Sequence, residues 1–119
     1  MPAYAAEVDL LERVAGTAAA DALRAPFVLG DRDQLAELFT AAGASAVAVA
    51  THRGRARFPS IRVMVEAELR GWLPVMGVTL NEDEIARILG AAEDALSAYS
   101  SDAGVSFDLQ AHLVTATRP

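Results

Sequence analysis

The chain contains no cysteine and no lysine. Without a thiol there is no disulfide framework, no cysteine nucleophile and no thiolate metal site. All ten basic residues are arginine, which reads as a coding bias before it reads as a functional signal. Sixteen acidic residues outnumber them, and the net charge of −6 removes the positive field that nonspecific binding to nucleic acid or an anionic membrane requires. No apolar run approaches the roughly 20 residues of a membrane span, and no basic-then-apolar leader opens the chain. A cytoplasmic protein with no nucleic-acid or membrane partner is expected. Glycine is scattered: the closest pair of the eight, Gly71 and Gly77, lies six residues apart. A dinucleotide-type loop needs clustered glycines between a strand and a helix, so that backbone amides can approach the ligand. There is also no GxSxG elbow, no Walker loop and no nucleophile paired with a base.

At 119 residues the chain reads as a single domain, 1–119, with one core burying roughly two thirds of the unfolded surface. The 53% apolar fraction is rich in alanine, which favours helices and fills little core volume. The organising stretch is Asp31 to Phe58. Asp31 and Gln34 have capping-box spacing, so a helix begins near Arg32. Leu35, Leu38, Phe39 and Ala42 fall on one face, and Gly43 supplies a left-handed stop. Ala46 to Ala50 alternates valine and alanine without charge, which predicts a strand covered on both faces. This gives a helix–strand unit over 31–58.

Before it, 1–30 reads as a helical hairpin and connector. Tyr4, Val8, Leu11 and Val14 or Ala15 line one side of a first helix, with Glu7, Asp9, Glu12 and Arg13 mostly opposite. Gly16 ends that helix, Thr17 is placed as the cap of a second one through Arg24, and Pro26 closes it. Phe27, Val28 and Leu29 are expected to pack under the helix at Asp31. Beyond the strand, Arg53, Arg55 and Arg57 share a side of the extended chain, either as an anion-facing comb or as charges that protect a sheet edge.

The segment 59–99 reads as a helical insertion. Ser60 caps a helix with Ile61, Met64, Val65, Leu69 and Trp72 on one face, ending near Gly71. Trp72 to Val78 is apolar but too broken for a regular element. Asn81 and Glu84 form a second capping-box start, and the carboxylates of Glu82, Asp83 and Glu84 suit the positive end of a helix dipole better than a metal site. Ile85, Ile88, Leu89, Ala92, Leu96 and Tyr99 trace the buried face. Over 105–117, Val105, Phe107, Leu109, Ala111 and Leu113 alternate with polar residues as a final strand, whose end is expected to be more covered than its start. The two histidines, His52 and His112, have no third ligand in sight and make no metal site.

PAYAAEVDLLERVAG, LRAPFVLGD, the AAGAS turn, the valine-rich strand, RFPS and FDLQAHLVTATRP together resemble the C-terminal part of a class I S-adenosylmethionine-dependent methyltransferase of the small-molecule type. The resemblance covers most of the chain and implies an α/β, Rossmann-like parent. For the stand-alone chain it implies α+β, with helices packed on a small, mainly antiparallel sheet. In that family the last strand runs antiparallel beside the strand that here spans Ala46 to Thr51, and the helical insertion closes over the substrate. Trp72 and Met76, with Arg57 and Arg62, are therefore the substrate-binding candidates. The family's glycine-rich donor loop and ribose-gripping acid have no counterpart here. No cofactor is expected in this chain, and S-adenosylmethionine only when it is joined to an N-terminal half. No catalytic residue is assigned, and the chain alone is not expected to transfer methyl groups. Two strands cannot cover each other, so a homodimer or a separately encoded methyltransferase half is expected as partner. The alternative function is a noncatalytic module that binds an apolar small ligand or a protein through the Trp72 and Met76 region.

Overall fold

The computed structural model describes residues 2–119, and the fold is α+β. Helices α1 (Pro2–Ala15) and α2 (Thr17–Arg24) form an antiparallel pair, followed by a 3₁₀ turn over Ala25–Phe27. Helix α3 (Arg32–Ala41) then leads into strand β1 (Ser45–Phe58). Helix α4 (Ile61–Ala67) runs into a π turn (Glu68–Trp72), and α5 (Glu82–Ala95) ends in a 3₁₀ turn over Ser97–Tyr99. The short β2 (Ser100–Ser101) and long β3 (Gly104–Thr117) complete an antiparallel sheet of order β1-β3-β2. No helix among the described residues is long and apolar enough to cross a membrane.

The caps form where the side chains near the backbone call for them. Asp31 accepts from the Gln34 amide at 2.9 Å, and Ser60 accepts from the Val63 amide at 3.1 Å. Asn81 and Glu84 make both bonds of a capping box, at 2.8 and 3.2 Å. Gly43 takes a φ of 92° just beyond α3, the conformation a glycine adopts at little cost. At Gly104 a side chain is excluded twice: φ is 108°, and a β-carbon there would lie 2.4 Å from the Phe58 carbonyl oxygen. One cap differs from expectation. Gly16 holds the cap position of α2, and the Thr17 hydroxyl donates instead to Glu12 at 3.0 Å, back along α1.

The core lies in the helical body. Leu10, Leu11, Leu23, Met64, Leu69, Leu73, Ile88 and Leu96 are fully buried there. The inward arc of α1 is wider than the periodicity suggests and includes Leu10 and, unexpectedly, Glu7. Val105 and Phe107 bring the first half of β3 onto this core, with Tyr4 edge-on to Phe107 at 5.2 Å.

The other half of the ribbon projects from that body and gives the chain its 52 × 32 × 19 Å extents. Strands of 14 residues reach about 46 Å. On the distal part α3 packs against the ribbon, and the Gly30 carbonyl of the connector is bonded to His112. Of Ala46 to Ala50, only Val49 is buried, which corrects the expectation of a strand covered on both sides. The expected gradient along β3 is likewise reversed. Val105 and Phe107 are buried, whereas Leu113 is 52% exposed and the last three strand residues are exposed. The cause is positional: four helices gather at the Phe58 end of the sheet and one at the other. Helix α3 itself has no buried residue, and Leu38 and Phe39 face outward. The connector behaves similarly, since Val28 is 65% and Leu29 44% exposed instead of packed beneath α3. Ala46 has a φ of 51° beside an irregularity in register between Ser45 and Ala48, so the alternation breaks at its first residue.

Candidate functional site

Pairing between β1 and β3 sets the geometry of the site. Thr51 lies opposite His112, Arg53 opposite Gln110, Arg55 opposite Asp108 and Arg57 opposite Ser106. Cross-strand partners share a face, so these eight residues stand on one side of the ribbon. His52 pairs with Ala111 and stands on the other side, so the two histidines do not converge. Arg55 reaches across to Asp108 at 3.0 Å and Ser106 at 2.8 Å. The arginine row is thus an exposed surface with its middle member already engaged.

A cavity of about 850 Å³ opens beside β3. One wall is the strand from Leu109 to His112; a second comes from α1 through Tyr4, Ala5, Val8 and Asp9. The connector contributes Pro26, Phe27, Leu29 and Gly30, and α3 contributes Leu35. The Tyr4 and Phe27 rings lie 4.8 Å apart, within the range of favourable aromatic contact.

His112 and Arg24 at this cavity are engaged, whereas the side chains of Asp9 and Gln110 have no partner among the described residues. His112 Nε2 lies 2.8 Å from the Gly30 carbonyl, which can only accept, so Nε2 carries the proton and donates. Nδ1 then accepts from the Thr51 hydroxyl at 2.9 Å in the neutral ring. His112 is a tether that ties the connector to the sheet. Arg24 is matched by Glu12 at 3.1 Å and by Asp21. Burial and two nearby carboxyl groups push the Tyr4 hydroxyl up to about 12, so it stays neutral. This arrangement can enclose apolar matter, and the Thr51 hydroxyl that bonds His112 does not line the cavity.

The most perturbed group lies behind the cavity wall. Glu7 is fully buried, and neither carboxyl oxygen has a hydrogen-bond partner among the described residues. Burial, reinforced by Glu68, pushes its carboxyl up to about 8. Glu68, at the start of the π turn, is itself raised by burial. Among the described residues no group of three or more His, Asp or Glu side chains could hold a metal ion.

The four substrate-binding candidates are dispersed. Trp72 is half-buried and its indole N–H donates to the Ala22 carbonyl at 2.8 Å, which fastens the π turn to α2. Met76 is 41% exposed in the following turn. Arg57 is exposed on β1 and Arg62 exposed on α4. None of the four lines the large cavity, whose walls come from Tyr4, Phe27, Leu29, Leu35 and Leu109 instead. The aromatic and apolar residues flanking Pro26 were the available signal, since Phe27 and Leu29 both line the cavity.

No protein-family model, no curated protein and no solved structure matches the chain.

Proposed function

We propose that this chain is the substrate-side, closing portion of an S-adenosylmethionine-dependent small-molecule methyltransferase, and that a separate cofactor-binding half supplies the donor site. The observation that carries this reading is the pairing of Ser45–Phe58 with Gly104–Thr117, antiparallel, with two helices and a π turn inserted between them. That order and strand sense are what the resemblance implies for the last two strands and their helical insertion. The bare distal ribbon supports the same reading. A two-stranded ribbon is marginal in water, and an apolar strand pair with helices on only part of each face calls for further sheet. The cavity beside β3 then contributes one wall of an acceptor site. Its apolar lining suits a small organic acceptor, and methyl-transfer chemistry would be completed by groups on the partner.

A second reading is favoured by the largely apolar walls of the cavity and the tethered His112. A noncatalytic module, acting as a homodimer, would hold an apolar small ligand there without needing a donor. The two separate cleanly. Mixing the chain with candidate cofactor-binding halves and following labelled methyl transfer should restore activity that neither component has alone. Failure across such halves, together with direct binding of apolar ligands by the isolated chain, favours the module. Calorimetry with S-adenosylmethionine and the isolated chain should show no binding; micromolar affinity counts against the proposal.

A further inference from the structure

Few charges reach the cavity beside β3, and they are unequal. Asp9 of α1 and Arg24 of α2 are the charged side chains of its lining. Arg24 is held by Glu12 at 3.1 Å and by Asp21, so its guanidinium brings two carboxylates with it. Asp9 has no partner among the described residues, and Glu12 lies one turn further along the same helix. Three carboxylates therefore surround one cation at this mouth, and the local field is negative. Both ring nitrogens of His112 are taken up by Gly30 and Thr51. The free side-chain amide of Gln110 has an oxygen that can accept a hydrogen bond. Arg53 stands opposite Gln110 on β1 but lines no part of the cavity.

The aromatic residues agree with the charge. Tyr4 and Phe27 both line the cavity, with ring centroids 4.8 Å apart. The face of an aromatic ring attracts a cation and repels an anion. Tyr4 and Asp9 are separated by about 7.5 Å along the axis of α1, so one small ligand head can reach both.

We propose that this cavity binds an organic cation: a protonated amine whose apolar body lies against Val8, Leu35 and Leu109 and whose ammonium group meets the Asp9 carboxylate beside the Tyr4 and Phe27 rings. The ammonium N–H groups donate to Asp9 and to the Gln110 amide oxygen. The volume of about 850 Å³ is that of a small-molecule site. An anionic ligand is disfavoured by the same arrangement, because the cation that would receive it is already paired with Glu12 and Asp21.

The inference rests on the reading above only in taking this cavity as the acceptor's wall. It names the acceptor's charge, and its test needs no methyl transfer. The probes are phenylpropylamine, phenylpropanol and phenylpropionate, which share a body and are cationic, neutral and anionic at neutral pH. Each is titrated into the full chain by calorimetry, and amide NMR shifts locate the binding. The amine is expected to bind about tenfold tighter than the alcohol and the carboxylate weaker than either, with shifts concentrated between Leu109 and His112. Asp9→Asn, at an exposed position of α1, should cut the preference for the amine to about threefold and leave the affinity for the alcohol unchanged. Phe27→Leu should cut the preference by a similar factor. Equal affinity for amine and alcohol, tighter binding of the carboxylate, a preference undiminished by Asp9→Asn, shifts confined to other elements, or no amine binding at millimolar concentration overturns the proposal. A cofactor-binding half that restores methylation of uncharged or anionic acceptors alone would keep the methyltransferase reading and sink this one. Amine selectivity without methyl transfer from any such half does the reverse.

Discussion

Replacing Glu7 with glutamine should remove most of the pH dependence of stability between pH 5 and pH 9. The carboxyl is sealed among the apolar side chains of the helical body with no hydrogen-bond partner among the described residues, and its pKa rises from 4.5 to about 8. The folded state therefore keeps a proton that the unfolded state releases. The contribution of Glu7 is fully present below pH 4.5 and is lost as the pH climbs through about 8. A rise of that size corresponds to on the order of 5 kcal/mol, a large part of the 5–15 kcal/mol typical of a whole domain. Denaturant midpoints of the full chain, taken from pH 5 to pH 9, should fall steadily for the wild type and stay nearly level for Glu7→Gln. The variant should be the more stable protein at pH 9. Its remaining slope should come from Glu68, which burial raises in the same direction. A wild-type midpoint that does not move over this range, or a variant that tracks it, refutes the assignment of Glu7 as a buried neutral acid.

Other substitutions test other parts of the structure. Trp72→Phe removes the bond to the Ala22 carbonyl and should cost about 1–2 kcal/mol in chemical denaturation without altering occupancy of the cavity beside β3. Asn81→Ala breaks the capping box of α5 and should lower stability by about 1 kcal/mol, read as a lower denaturant midpoint at unchanged slope. Ala46→Gly should stabilise the chain by up to about 1 kcal/mol in the same assay, because the left-handed backbone at that residue penalises a β-carbon. A loss of stability there would show that the alanine methyl contributes more by packing than its φ angle costs.

Features decided by a few neighbouring residues were legible in the sequence. The Asn81–Glu84 box, the Ser60 cap and the stop at Gly43 each depend on side chains within one turn of the backbone they serve. The same is true of the alternating register of β3. What was not legible depends on matter beyond the local segment. The valine–alanine alternation at Ala46 to Ala50 encodes a strand fit for burial, but helices cover little of its length and only Val49 is buried. Charge argues for an outward Glu7, but the helix has inward positions on either side of it and carries it inside. The cavity is assembled from α1, the connector, α3 and β3, apart from Trp72, Met76, Arg57 and Arg62. No spacing rule links Tyr4 to Leu109.

Residue-level hydrogen exchange of the isolated chain tests most directly whether this sheet is incomplete. From Ser106 to Thr117, the β3 amides that face β1 should be protected while the alternate amides exchange rapidly, giving a sawtooth of period two. Uniform protection along that run in a protein that sediments as a monomer would mean that the edge is already satisfied and that no partner strand is needed.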